Sequence, residues 1–358
     1  MALCFMNSYM NNIRKVVPYV PGEQPKGNVI KLNTNENPYP PAPEVQQIFE
    51  SSDAELLRKY PDPTIGKLVS AIAEQYDVKP SQVFVGIGSD DVIGMAFLTC
   101  FAGEKKLAFP DITYSFYDVW AELFRIPYET IPVREDFSIS VSDYAGEKGG
   151  IIIANPNAPT SLELGIDRIE ELVSSHPECV VIVDEAYVDF GGTSALPLVE
   201  KYPNLLVVQT FSKSRSMAGM RIGFAIGQEP LIKAMNDVKY AYNSYTLSHT
   251  AIAAGEASVR NRTYFLETCR KVIKTREAAK KEMKALGFSF PDSKTNFLFA
   301  THESVPAKTL QAELKKRNIY VRYFAKPRID NYLRITIGTD EEMKCLYEAL
   351  REIIAQCK

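Results

Sequence analysis

The chain has 358 residues, enough for two modest domains or one large domain with a satellite. At 46% apolar and 24% charged it has ordinary globular composition, which excludes wholesale disorder. Lys plus Arg number 41 and Asp plus Glu 44, and the net charge of −3 gives no electrostatic reason to expect a nucleic-acid partner.

The opening residues carry an apolar patch with no basic region ahead of it, so a secretory leader is not expected. Residues 15–43 hold Pro18, Pro21, Pro25, Pro38, Pro40, Pro41 and Pro43. Proline fixes φ and removes a donor, so this stretch reads as an extended arm laid over something else. From about residue 66 the text alternates. The segment 66–77 places Leu68, Ala71, Ile72 and Tyr76 on one helical face. Seven β-rich runs follow: 83–87, 106–110, 129–133, 151–154, 180–183, 205–209 and 222–226, with helical segments at 90–102, 114–124 and 166–175. Continuous apolar runs indicate strands buried on both faces, and helices between them imply a mostly parallel sheet with right-handed crossovers. The connection between the last two runs is marginal for a helical crossover, so 222–226 is the candidate antiparallel member.

After about 246 the style changes to a long charged helix (262–286), strands at 295–300, 319–323 and 332–337, and helices at 306–317 and 340–355. The expected organisation is an arm over 1–43 that joins the small domain, a large cofactor-binding domain over 44–246 and a small α+β domain over 247–358. The longest apolar stretch, Val92–Ala102, is too short to span a bilayer, so no membrane partner is expected. The six cysteines have no CxxC spacing and no neighbouring His, which argues against a zinc site. They read as reduced thiols of a cytoplasmic protein, with Cys100 and Cys179 in the core. His176, His249 and His302 sit in no motif and read as structural or surface residues.

In an open α/β sheet, ligands bind beyond the carboxyl ends of the parallel strands. The residues just after the strands are informative: Gly88, Ser89 and Asp90 opening a helix; Asn155 and Asn157 in NPNAPTS; Asp184 in DEAYVDF; Ser212 and Lys213 in TFSKS. Each has a plainer explanation alone. A strand-end Lys is commonly a solvated loop charge, an Asp there a helix cap, and Asn-Pro a turn. Together on one sheet edge, an amine, a carboxylate, an amide and an anion cradle fit a cofactor with an aldehyde, a pyridine nitrogen, a phenolate oxygen and a phosphate. That cofactor is pyridoxal 5′-phosphate. A lysine amine condenses with its aldehyde, a carboxylate keeps the ring nitrogen protonated, and helix amides with an arginine hold the phosphate.

The stretches VPYVPGE (17–23), KLNTNENP (31–38), KYPDP (59–63), GSDD (88–91), TYSFY (113–117), NPNAPT (155–160), DEAYVDF (184–190), TFSK with MAGMRIGF (210–224) and YLRITIGT (332–339) resemble, in this order, the fold type I pyridoxal-phosphate-dependent aminotransferases. The NENP and PYxPG segments with DEAYxDF resemble their histidinol-phosphate branch. The resemblance implies that Lys213 carries the cofactor and Asp184 pairs the pyridinium. It implies that Tyr187 and Asn157 bond the phenolate oxygen, with Asn157 also near substrate, and that Tyr114 stacks on the ring. Amides of Ser89 and Asp90, with Thr210, Ser212 and Arg221, would hold the phosphate. Tyr60 would reach the partner subunit's cofactor, implying a homodimer with shared sites. Arg334 would clasp a substrate carboxylate, with Arg322 and Tyr19 near the distal end.

The implied activity is transamination of L-histidinol phosphate with 2-oxoglutarate, in two half-reactions, in histidine biosynthesis. Aromatic aminotransferases and threonine-phosphate decarboxylases share the same cofactor residues and are the nearest rivals, and a non-catalytic binding protein on this scaffold is the distant one. A nicotinamide enzyme is disfavoured because no GxGxxG follows a strand. Ser161 and Pro40 stand where glycine is common, and Lys213 is followed by Ser214, Arg215 and Ser216 rather than a hydrophobic, Gly-containing turn.

Overall fold

The computed structural model describes residues 9–357. Cys4 lies outside the described residues. Within the proline-rich stretch the arm forms strand β1 (Ile30–Leu32), and at its end begins helix α1 (Pro43–Glu50), which opens on a proline at its first turn. Helix α2 (Gly66–Tyr76) follows. Then strand and helix alternate: β2 (Val83–Gly86), α3 (Gly88–Cys100), β3 (Leu107–Pro110), α4 (Tyr117–Phe124), β4 (Tyr128–Ile131), β5 (Gly150–Ala154), α5 (Ile166–Ser174), β6 (Val181–Asp184), β7 (Leu205–Thr210) and β8 (Gly223–Gly227). Seven of these strands form one sheet in the order β2-β8-β7-β6-β5-β3-β4. All neighbours run parallel except at β8, which is antiparallel to both β7 and β2. The expected sheet is thus found, with 222–226 as its reversed strand.

The two faces follow from side-chain alternation along strands that are buried throughout. Val85, Ile151, Ile153, Val183 and Val207 pack with α2 and α5 on one face. Phe84, Ile152, Ile182, Leu206 and Val208 pack with α3 and α4 on the other.

Two helices absent from the sequence reading follow β8: α6 (Glu229–Tyr242) and α7 (His249–Arg260). The second is poor in large apolar residues, so its periodicity is faint. It packs tightly because Gly255 admits Leu68 of α2, whose Cδ2 would lie 2.9 Å from a Cβ at that position. Leu247 and α7 belong to the core of the large sheet. The change of core therefore falls near Asn261, later than the boundary expected at 246.

Beyond it lie α8 (Arg262–Ala285), β9 (Phe288–Ser289), β10 (Phe297–His302), α9 (Ala307–Lys316), β11 (Ile319–Tyr323), β12 (Leu333–Thr336) and α10 (Asp340–Gln356). A second sheet runs β1-β11-β12-β10-β9. The arm strand β1 pairs in parallel with β11, Ile30 opposite Ile319. Val272, Ala279 and Met283 of α8 and Leu346, Leu350 and Ile353 of α10 cover this sheet. No helix among the described residues is long and apolar enough to cross a membrane.

The thiols differ from expectation. Cys269 on α8 is buried, whereas Cys100 and Cys179, at a helix end and in the loop before β6, are half-buried. Burial pushes the Cys269 thiol up to about 12. His176 and His302 are buried and bonded to backbone carbonyls of Tyr144 and Leu286, and His249 lies at the start of α7.

One close approach fixes the sheet edge that matters. Gly223 opens β8 against the start of α3, where a Cβ would lie 2.3 Å from the Gly88 carbonyl carbon and from the Ser89 nitrogen. Both neighbours are backbone and cannot rotate away. Gly223→Ala is expected to lose about 2–3 kcal/mol by overpacking. Denaturant unfolding checks this: the midpoint should fall with the slope unchanged, and an unaltered midpoint would show that the two segments separate freely.

Candidate active site

The carboxyl ends of β5, β6 and β7 and the start of α3 meet at one edge of the large sheet, as the parallel order requires. A cavity there is lined by Ser89, Asp90, Tyr114, Ala158, Asp184, Tyr187, Thr210, Ser212, Lys213 and Arg221. A second cavity shares Tyr114, Ala158, Tyr187 and Lys213 with it and continues to Tyr19, Arg322, Phe324 and Arg334. The two are halves of one cleft between the large sheet and the second sheet, with Lys213 at the junction.

Asp184 is the last residue of β6 and is 4% exposed. Tyr117, fully buried at the start of α4, donates its hydroxyl proton to Asp184 Oδ2 at 2.7 Å. The Ala186 N–H donates to Oδ1 at 3.2 Å. No Lys or Arg among the described residues forms an ion pair with it. Burial raises its carboxyl to about 6, with the Tyr117 and Ala186 hydrogen bonds opposing. Tyr117 was not singled out from the sequence; TYSFY ends on it, but only the fold brings it under the acid.

At the other end of the cavity, Gly88 turns the chain into α3 at φ +84°, with Arg221 packed against it. The first-turn amides of α3 lack helical acceptors and carry the positive end of the helix dipole. Arg221 contacts Asp90 at 3.5 Å and Ser212 Oγ at 3.5 Å. The Thr210 hydroxyl donates to Ser212 Oγ at 3.0 Å, and the Ser212 N–H donates back to Thr210 Oγ1 at 3.1 Å. Tyr114 forms a wall and donates its hydroxyl to Asp90 Oδ1 at 2.8 Å.

Lys213 Nζ lies between these ends, 3.3 Å from the Thr34 carbonyl of the arm and 5.8 Å from the centre of the Tyr187 ring. Asn37 steadies its loop by donating to the Lys213 carbonyl at 3.1 Å. Ser214 Oγ donates to the half-buried Asp189 at 2.5 Å, and Arg215 is packed between the rings of Phe211 and Phe265. The departures at 214 and 215 thus serve packing beneath the loop.

Asn157 is not brought to the cleft. Its Nδ2 donates to the Ile112 carbonyl and to Thr160 Oγ1, each at 2.9 Å, while Oδ1 accepts from the Thr113 hydroxyl at 2.7 Å. Its amide is thus engaged by Thr160 of its own loop and by Ile112 and Thr113 of the β3–α4 connection, and Ala158 forms the wall instead. Two asparagines and an alanine in NPNAPTS read alike from spacing, so sequence alone does not say which faces in.

At the outer half, Arg334 on β12 pairs across the strands with Arg322 on β11. Neither has a carboxylate within ion-pair distance among the described residues. Arg334 is half-buried, its Nε is shielded from water without a partner, and its Nη2 donates to the Asn33 carbonyl at 3.0 Å. Burial pulls this guanidinium below its ordinary value. Arg322 reaches the arm at the Val20 carbonyl, 3.3 Å away, and Tyr19 stacks on Phe116 at 4.7 Å over the same opening. Tyr60 lies outside the cleft, 78% exposed and stacked on Tyr245 at 4.5 Å.

A buried acid without a cation, an anion cradle and an amine between them define a site for a phosphorylated pyridine aldehyde. The family description "Aminotransferase class I and II" matches residues 27–350, and the chain belongs to that pyridoxal-phosphate-dependent family. Proteins it is similar to within the family include histidinol-phosphate aminotransferases. The one from Clostridium botulinum (strain 657 / Type Ba4) is 48% identical, covering 98% of this chain and 99% of the relative. The one from Lactococcus lactis subsp. cremoris (strain SK11) is 49% identical, covering 97% and 98%. Among solved structures, the histidinol-phosphate aminotransferase of Sinorhizobium meliloti in complex with pyridoxal-5′-phosphate superposes with a TM-score of 0.84 at 22% identity, over 92% of each chain. The residues present fit the cofactor: a pyridinium supplies the partner Asp184 lacks, and a phosphate fits the free amides beside Arg221.

The acid gives a test with a defined sign. Its folded value lies above the ordinary 3.8. In the cofactor-free protein it therefore destabilises the fold increasingly as pH rises from about 4 through 6, and fully above. Asp184→Asn should stabilise the cofactor-free protein at pH 8 by about 2–3 kcal/mol, with the difference vanishing below about pH 4. Added pyridoxal phosphate should raise the melting temperature of the parent far more than that of the variant. Thermal melts across pH check this, and a variant less stable at pH 8 would contradict it.

Proposed function

We propose that the protein transfers the amino group of L-histidinol phosphate to 2-oxoglutarate, giving imidazole acetol phosphate and glutamate. The observation that carries this reading is the pair Arg322 and Arg334, side by side without an acid at the mouth of a cleft that holds Lys213. Such a pair suits an anionic donor and a dicarboxylate acceptor taken in turn. The relatives' names supply the particular donor.

Pyridoxal phosphate, when bound, supplies an aldehyde that captures amines and a ring that draws electron density from the substrate's Cα. Asp184 holds the proton on the ring nitrogen, and Tyr117 keeps that carboxylate oriented. Ser89, Asp90, Thr210, Ser212 and Arg221 hold the phosphate, and Tyr114 covers one face of the ring. Lys213 would hold the cofactor, and its Nζ, when free, would serve as the base toward the substrate's Cα proton. Arg334 clasps the 2-oxoglutarate carboxylate. Arg322 and Tyr19 meet the distal end of either substrate.

The working unit is read as a cytoplasmic homodimer with shared sites, in which Tyr60 of the partner subunit completes the phosphate site. The exposed Leu57, Tyr60, Tyr240 and Tyr242 support that surface.

Lys213→Ala should lower kcat by at least about 10²–10⁴-fold in steady-state assays while the fold is kept. Arg334→Met should lower kcat/KM for 2-oxoglutarate by about 10–100-fold, the loss of one charge-assisted pair. A protein that turns over phenylalanine or threonine phosphate but not histidinol phosphate would overturn the donor assignment.

A further inference from the structure

The wall at position 158 and the arm residue Asn35 carry a consequence for how the cofactor's phenolate oxygen is held. Asn35 is 1% exposed, in the left-handed region at φ 58°. Its N–H donates to Thr336 Oγ1 at 3.0 Å, and that hydroxyl donates back to Asn35 Oδ1 at 3.1 Å. Its carbonyl accepts from Asn296 Nδ2 at 3.0 Å. This closed ring with Thr336 fixes which end of the amide faces outward. Because Thr336 Oγ1 already accepts the main-chain N–H, its proton goes to Oδ1, which leaves Nδ2 as the outward end. Nδ2 donates to the Tyr187 hydroxyl at 2.9 Å. The Tyr187 oxygen is thereby committed as an acceptor on that side, and its own proton is free toward the cleft, which Tyr187 lines. Asn157, the other amide expected at the phenolate oxygen, is engaged by the Ile112 carbonyl and Thr160, and Ala158 has no side-chain donor to offer there.

We propose that Asn35 is a positioning residue that fixes the Tyr187 hydroxyl as a donor to the cofactor's phenolate oxygen, and that Ala158 leaves this oxygen without the second side-chain donor it could have had. The inference rests on the cofactor reading above. Donors to that oxygen stabilise its negative charge and weaken its hold on the proton of the Lys213-linked cofactor. The oxygen's donor count therefore sets the pH at which that proton is lost, and Asn35, which never touches the cofactor, acts on it through Tyr187. The charged and titratable groups facing this point are Asp184 on β6, Asp90 and Arg221 at the cradle, Tyr114, Arg334 on β12 and Glu36 of the arm. None of them is altered by the variants below.

The test is an absorbance titration of the purified holoenzyme between about pH 5 and 10, without substrate, which reads the midpoint of the colour change of the Lys213-bound cofactor. Ala158→Asn adds a donor and should lower the midpoint by about one pH unit. Asn35→Asp replaces the donor by an acceptor, turns the Tyr187 proton away from the cleft and should raise the midpoint by about one unit or more. Tyr187→Phe should raise it similarly, and Asn35→Ala made in the Tyr187→Phe background should add nothing, since both act through one proton. An unchanged midpoint in folded, cofactor-loaded Asn35→Asp, or equal additive shifts from Asn35→Ala in both backgrounds, would overturn the proposal. So would an Ala158→Asn variant whose midpoint does not move. A parent protein that shows no bound chromophore would instead overturn the cofactor reading itself.

Discussion

Asp184 is a carboxyl group with two hydrogen bonds, almost no contact with water and no ion pair to a Lys or Arg among the described residues. Burying a charge without a partner is among the most costly arrangements a fold can contain. Here the cost is tolerated because β6 is the central strand of a sheet whose two faces are fully covered, and its end cannot be moved outward without breaking both cores. The rest of the site is arranged around this point. Tyr117 orients the carboxylate from beneath, the cradle at α3 lies at the other end of the cavity, and Lys213 stands between. A cation bound at Asp184 relieves the strain of burial, so the acid both destabilises the empty protein and selects what fills it.

The second sheet supplies what the first lacks. Parallel strands deliver acids, amides and amines to one edge, but they do not deliver two arginines facing the same space. That is done by β11 and β12, whose antiparallel register places Arg322 opposite Arg334. The arm ties the halves together. Strand β1 pairs with β11, Asn35 reaches both Thr336 and Tyr187, and the Thr34 carbonyl meets Lys213. A proline-rich segment thus contacts the amine, the phenol and the substrate arginines.

Much of this was legible in the sequence. Continuous apolar runs located all seven strands of the large sheet, and the short connection before 222–226 marked the reversed strand. Strand ends marked Lys213, Asp184, Ser89 and Asp90, whereas Tyr187, Tyr114 and Arg221 came from the family resemblance. Three things were not legible. Helix α7 is built of small residues, and its burial depends on Gly255 meeting Leu68, a tertiary contact without a periodic signature. Asn157 and Ala158 are adjacent, and only the backbone of the loop decides which faces the cleft. Tyr117 and Asn35 act through other residues and carry no motif of their own; they emerge only from hydrogen bonds that span 67 and 152 positions of sequence.

The account stands on one covalent attachment. Holoenzyme reduced with borohydride and digested should yield a single cofactor-modified peptide, carrying the adduct on Lys213, in mass-spectrometric mapping. An adduct on any other lysine, or a reduced protein with none, would contradict it.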